Sequence, residues 1–137
     1  MKARLLPLAL LLLSAPVSAQ GTVTGFQLPS GRLACQYDDA SGPPTLRCDV
    51  LEPTFKKAPR PTECPLEWGD ALGLGAAGKP FLVCHGDTVL DPSTPVLRYG
   101  PSWRKGKFTC RASTAGVRCS NAAGHGFELA RARYRLF

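Results

Sequence analysis

Six cysteines govern what this chain can become: Cys35, Cys48, Cys64, Cys84, Cys110 and Cys119, no two closer than nine positions. A zinc site draws on closely spaced Cys or His pairs, and that spacing is absent here. Wide, even-numbered cysteines ahead of which stands an export signal predict disulfides, because export leads to an oxidising compartment. The signal is read over residues 1–19. Lys2 and Arg4 form a positive start, Leu5 to Leu13 an apolar run, and Val17-Ser18-Ala19 the small residues before a cut. A nine-residue apolar run is too short to span a bilayer, which takes roughly 20. Residues 20–137 are therefore expected to form a single disulfide-stabilised domain, secreted or periplasmic and without a membrane span.

Strand patterns dominate that domain. Gly and Pro supply 27 of 137 residues, and no window outside the leader sustains a 3.6-residue apolar period. Two segments repeat one design. Gly31-Arg32-Leu33-Ala34-Cys35 leads through a turn to Leu46-Arg47-Cys48, and Gly106-Lys107-Phe108-Thr109-Cys110 leads to Val117-Arg118-Cys119. Each reads as a β-hairpin with its cysteines facing each other. Cys110 opposite Cys119 sets Arg111 against Arg118 and turns the chain over Ser113-Thr114-Ala115-Gly116. Cys35 opposite Cys48 sets Tyr37 against Leu46. Directly opposed residues lie within disulfide reach. The opposed Arg111 and Arg118 are tolerable only on an exposed face.

Cys64 and Cys84 then pair by elimination, around a hairpin over Gly75-Ala76-Ala77-Gly78. The hairpins are expected at about 32–49, 66–84 and 107–120, with further strands at Val23–Leu28, Val96–Tyr99 and Gly126–Leu129. Residues 130–137 add a helical turn or a last strand, and Glu52–Pro61 is a Pro-bearing loop. The expected fold is all-β, a small disulfide-braced barrel or sandwich of antiparallel hairpins.

The chain resembles a family of secreted bacterial proteins known only as a domain of unknown function. The likeness rests on Phe26-Gln27-Leu28-Pro29-Ser30-Gly31, on Cys84-His85-Gly86-Asp87-Thr88 and on Leu97-Arg98-Tyr99-Gly100. Its strongest part is Gly116-Val117-Arg118-Cys119-Ser120-Asn121, followed by Gly124-His125-Gly126-Phe127 and Arg131. Arg32 stands where the family pattern commonly has Asn. The resemblance implies export and a compact disulfide-containing domain. It transfers no catalytic residue and no ligand.

Candidate chemistry is sparse. His125, Asp87 and His85 are the only acid–base candidates worth naming, and their Gly-rich surroundings fit tight turns at least as well. Ser102, Ser113 and Ser120 lack the setting of a nucleophile elbow. Charge is more informative. Residues 98–137 carry nine Arg/Lys and one acid, whereas residues 20–97 carry six bases and nine acids. The basic segment interleaves aromatics, so Arg98, Tyr99, Trp103, Arg104, Lys105, Lys107, Arg111 and Arg118 are nominated for binding an anion. The competing account is a solvated basic face with the aromatics in the core.

The first functional reading is thus a non-enzymatic binding or envelope-associated module, a monomer without cofactor or metal. Its expected partner is an anionic envelope polymer or a secreted protein, and nucleic acid is not expected. The rivals are a hydrolase using His125 and Asp87, and an inhibitor of a secreted enzyme acting through the loop 52–61.

Overall fold

The computed structural model describes residues 12–16, 21 and 23–137. The cleavage region of the expected leader, Val17-Ser18-Ala19, lies outside the described residues. Among the described residues, 23–137 form two five-stranded antiparallel sheets, and none of them is helical.

Each sheet is a meander taken from one continuous half of the chain. The first holds β1 (Val23–Gln27), β2 (Leu33–Asp38), β3 (Thr45–Val50), β4 (Ala71–Gly75) and β5 (Phe81–Leu82). The second holds β6 (Ser102–Lys105), β7 (Phe108–Ser113), β8 (Gly116–Asn121), β9 (Gly126–Leu129) and β10 (Tyr134–Leu136). Period-2 alternation decides the faces. Along β7 Phe108, Cys110 and Ala112 are buried, while Arg111 and Ser113 are exposed. The inward residues of both sheets share one core. The barrel-or-sandwich expectation therefore resolves to a sandwich.

The hairpin registers follow the cysteines. Cys35 opposes Cys48 and Cys110 opposes Cys119, with Cα atoms 4.0 and 4.1 Å apart and both pairs bonded. Cys64–Cys84 is also bonded, at a Cα separation of 5.7 Å. It joins loop residues outside the ladder, which is why no strand register predicts it. The β4–β5 hairpin is shorter than residues 66–84. It pairs only Leu72 with Leu82 and Gly73 with Phe81.

The second sheet repeats the first strand by strand. Phe26 opposes Cys35 as Trp103 opposes Cys110, and these two rings meet at 5.0 Å. Leu72 opposes Cys48 as Phe127 opposes Cys119. The two hairpin disulfides touch across the sandwich, Cys48 Sγ to Cys119 Sγ 4.0 Å. The close grouping of Cys35, Cys48 and Cys119 sulfurs comes from this stacking.

Two expectations need correction. Val96–Tyr99 is not a strand: Val96 bridges to Gln27 in the first sheet and Tyr99 to Ala112 in the second. The segment passes from one sheet to the other, so it forms one isolated bridge to each. Pro95 and Pro101 at its ends also lack the N–H that a ladder needs. Conversely, β6 is a strand that the sequence pattern did not suggest. It hangs on a two-residue turn, Gly106-Lys107, with Gly106 at φ 55°.

The outer faces of the two sheets differ. Residues 87–90 cover the outer side of the first sheet. Asp49, on β3, is only 3% exposed there. Its carboxylate accepts four hydrogen bonds, from Arg47 Nε and Nη2, Thr88 Oγ1 and the Val89 N–H. Arg47 in turn donates to the Asp87 carboxylate at 2.8 Å and to the Asp87 carbonyl at 3.2 Å. Val89 is buried without belonging to the core between the sheets. No described segment covers the outer side of the second sheet in this way.

Candidate anion-binding face

Registers on the bare face bring five residues from five strands into one row: Ser102, Arg111, Arg118, Glu128 and Arg135. Adjacent strands lie about 4.8 Å apart, so neighbouring charges of the row are in reach of one ligand. With Arg133, these arginines and Glu128 line a groove of about 540 Å³. A parallel row places Arg104 opposite Thr109, which opposes Ser120.

Glu128 is the single acid of the row. It accepts hydrogen bonds from Arg118 at 2.7 Å and from Arg135 at 3.1 Å. The Arg135 and Arg118 guanidinium groups hold its pKa down at about 2. Arg118 and Arg135 both lie over the Phe137 ring, at 4.2 and 5.1 Å from its centre. Gly126 makes room for it: a Cβ there would sit 2.9 Å from the Phe137 ring and 2.0 Å from the Cys119 carbonyl oxygen. Arg111 lies directly opposite Arg118, and its Nε donates to the Gly100 carbonyl. The row thus has more positive charge than its own carboxylate neutralises.

Of the eight residues nominated for binding, Arg111 and Arg118 line this groove, and Arg104 shares the face. Tyr99 lines a smaller depression of about 210 Å³, which shares Ser113, Gly116 and Ala130 with the groove. Arg98 is exposed on the crossing segment and Lys107 in the β6–β7 turn. Trp103 and Lys105 do not join the set. Alternation along β6 turns them to the other side, where Trp103 packs on Phe26 and Lys105 lies over the Tyr37 ring. Arg133, Arg135, Glu128 and Phe137 were missed. The signal was the outward phase of Glu128, Arg135 and Phe137, readable only once β9 and β10 are known to pair.

The acid–base candidates part company. His85 is 9% exposed, with Nε2 2.8 Å from Asp70 Oδ1 and Nδ1 2.6 Å from the Asp87 carbonyl. Both contacts are acceptors, so the ring donates to both only as an imidazolium. Burial works against that charge, but the Asp70 carboxylate and Asp87 carbonyl outweigh it and raise the His85 pKa above 6.5. Asp70 also takes an ion pair from Lys57 at 2.7 Å. The Asp87 carboxylate is committed to Arg47. His125 sits in the β8–β9 turn, and its backbone N–H donates to Asn121 Oδ1. Among the described residues no hydrogen bond or ion pair joins His125 to His85, Asp87 or any of Ser102, Ser113 and Ser120. The loop 52–61 is tied down, by Thr54 N–H to the Arg131 carbonyl and by Phe55 on the Tyr134 ring.

A pH test follows from His85. A raised histidine pKa contributes stability that is full below pH 6.5 and fades as pH rises through the folded-state value. Wild type should therefore melt at a higher temperature at pH 6 than at pH 8 by this group. In His85→Gln that difference should shrink. Equal pH slopes in wild type and variant, followed by calorimetry, would remove the imidazolium from the account.

The motif around these turns has a structural explanation. Asn121 is 6% exposed and its side chain makes four hydrogen bonds. Its Nδ2 donates to the Gly75 and Gly78 carbonyls of the β4–β5 turn, and its Oδ1 accepts from the Ala123 and His125 N–H groups. Gly116 stands at φ 113°, where a Cβ would lie 2.2 Å from the Leu129 carbonyl oxygen. Residues 5–137 match the Family of unknown function (DUF6636). The chain belongs to that family. No curated protein and no solved structure matches it. Within this DUF6636 chain, the Gly116–Phe127 motif clamps turns and ties the two sheets together.

Proposed function

We propose that the chain is a non-enzymatic binding module of an exported bacterial protein, whose second-sheet face holds an anionic ligand. The in-register row Arg111–Arg118–Glu128–Arg135, with Arg133 beside it, carries this reading. Four arginines around one carboxylate leave a surplus of fixed donors aimed at solvent, and guanidinium groups suit carboxylate, sulfate or phosphate oxygens. Three disulfides fit an extracytoplasmic protein, and no described helix is long and apolar enough to cross a membrane. An anionic envelope polymer or the acidic surface of another exported protein is the matching partner. The chain acts as a monomer in this reading.

The protein should bind immobilised dextran sulfate at low ionic strength and elute as salt rises. Arg111→Ser/Arg133→Ser should weaken binding about tenfold or more, since a charged hydrogen bond contributes about 1.5–3 kcal/mol. Passage through the column at low salt, or an unchanged elution by the variant, would overturn the reading.

A further inference from the structure

We propose that the arginine face accepts an acidic, extended segment of a partner protein, laid on the second sheet as residues 87–90 are laid on the first. This rests on the binding reading above and names its ligand class. The hairpin repeat makes Arg47 and Arg118 equivalent: each follows an apolar residue, precedes an inward cysteine, and faces outward on the middle strand of its sheet.

Their surroundings differ in one respect. The Arg47 side chain is 19% exposed because the chain itself brings Asp87 over it. The Arg118 side chain is 53% exposed and shares its one carboxylate, Glu128, with Arg135. Opposite Arg47 stands neutral Gln36, whereas opposite Arg118 stands a second cation, Arg111. The second sheet therefore asks for more negative charge than the first and receives less from its own chain. That shortage predicts an external acid, not merely a solvated face.

The first sheet also shows why the occupant is polypeptide. Its cover is held through main-chain groups as well as the carboxylate: Asp49 accepts the Val89 N–H, and Arg47 donates to the Asp87 carbonyl. On the second sheet Ser120 follows Cys119 as Asp49 follows Cys48, so a hydroxyl able to donate or accept stands at the equivalent place. A sulfated or phosphorylated polymer would use the arginines and leave the hydroxyl without a main-chain partner.

The chain's own covering sequence is the probe. A capped peptide of residues 85–91, His-Gly-Asp-Thr-Val-Leu-Asp, is titrated into the oxidised mature protein at low ionic strength by NMR, beside the same peptide with both Asp replaced by Asn. Saturable shifts confined to β7–β10, at least tenfold weaker with the Asn peptide, are the expected result. The Arg111→Ser/Arg133→Ser protein should lose the response while keeping its dispersed spectrum. Equal binding of the two peptides, or shifts on the first sheet only, would overturn the proposal. Retention of dextran sulfate with no response to either peptide rejects the peptide ligand and leaves the anion-binding reading standing. Failure of both probes removes both.

Discussion

Asp49→Ala should cost about 3–5 kcal/mol of stability, the scale on which removal of one partner from a buried ion pair acts. Four donors converge on that carboxylate, and the substitution removes this acceptor from all of them at once. Arg47 keeps Asp87, but that carboxylate is 77% exposed and does not replace a buried one. The Val89 N–H loses its acceptor in a buried place. Denaturant titration should show a lower midpoint, and amide exchange at Val89 should become fast. The double variant Arg47→Met/Asp49→Ala should recover part of the loss, because no unpaired cation then stays behind. A single variant within 1 kcal/mol of wild type would show that residues 87–90 are held by something other than this carboxylate.

Asn121→Leu should lose about 2–4 kcal/mol, since it leaves the Gly75 and Gly78 carbonyls and the Ala123 and His125 N–H groups without their partner. Asn121→Asp is the sharper variant. Its shape is nearly unchanged, yet a carboxylate oxygen would face two carbonyls where an N–H₂ now donates. It should be destabilised at neutral pH and recover in part on acidification, when the carboxyl regains a proton. An Asp variant as stable as wild type at pH 7 would mean that the amide does not lock the β4–β5 turn to the second sheet.

What the sequence made legible was local. Cys110 and Cys119 lie nine residues apart around a Gly-ended turn, so their register and the faces of Arg111 and Arg118 followed from alternation alone. Cys35 and Cys48 behaved likewise over a longer loop. The Cys64–Cys84 pairing came only by elimination, because it fastens loops and leaves no periodic trace. β6 escaped notice because Ser102-Trp103-Arg104-Lys105 offers one large apolar residue, too little for a pattern. The candidate face was half visible. Arg111 and Arg118 belong to a hairpin, whereas Arg135 and Phe137 reach them only through β9–β10 pairing at the end of the sheet. His85 and Asp87 drew attention as chemistry because neither Asp70 nor Arg47 is near them in sequence, and those partners are what occupy them.

The contact between Cys48 and Cys119 sulfurs has a consequence for maturation. Each half of the chain can close its own hairpin link before the two halves meet, because both links are short-range. If collapse comes first, four thiols gather in one dry spot, and four thiols admit three pairings. Two of those would staple the halves to each other across the sandwich. Correct oxidation is thus a race between local ring closure and burial, and a thiol-exchange catalyst would act on the chain most usefully before its halves dock.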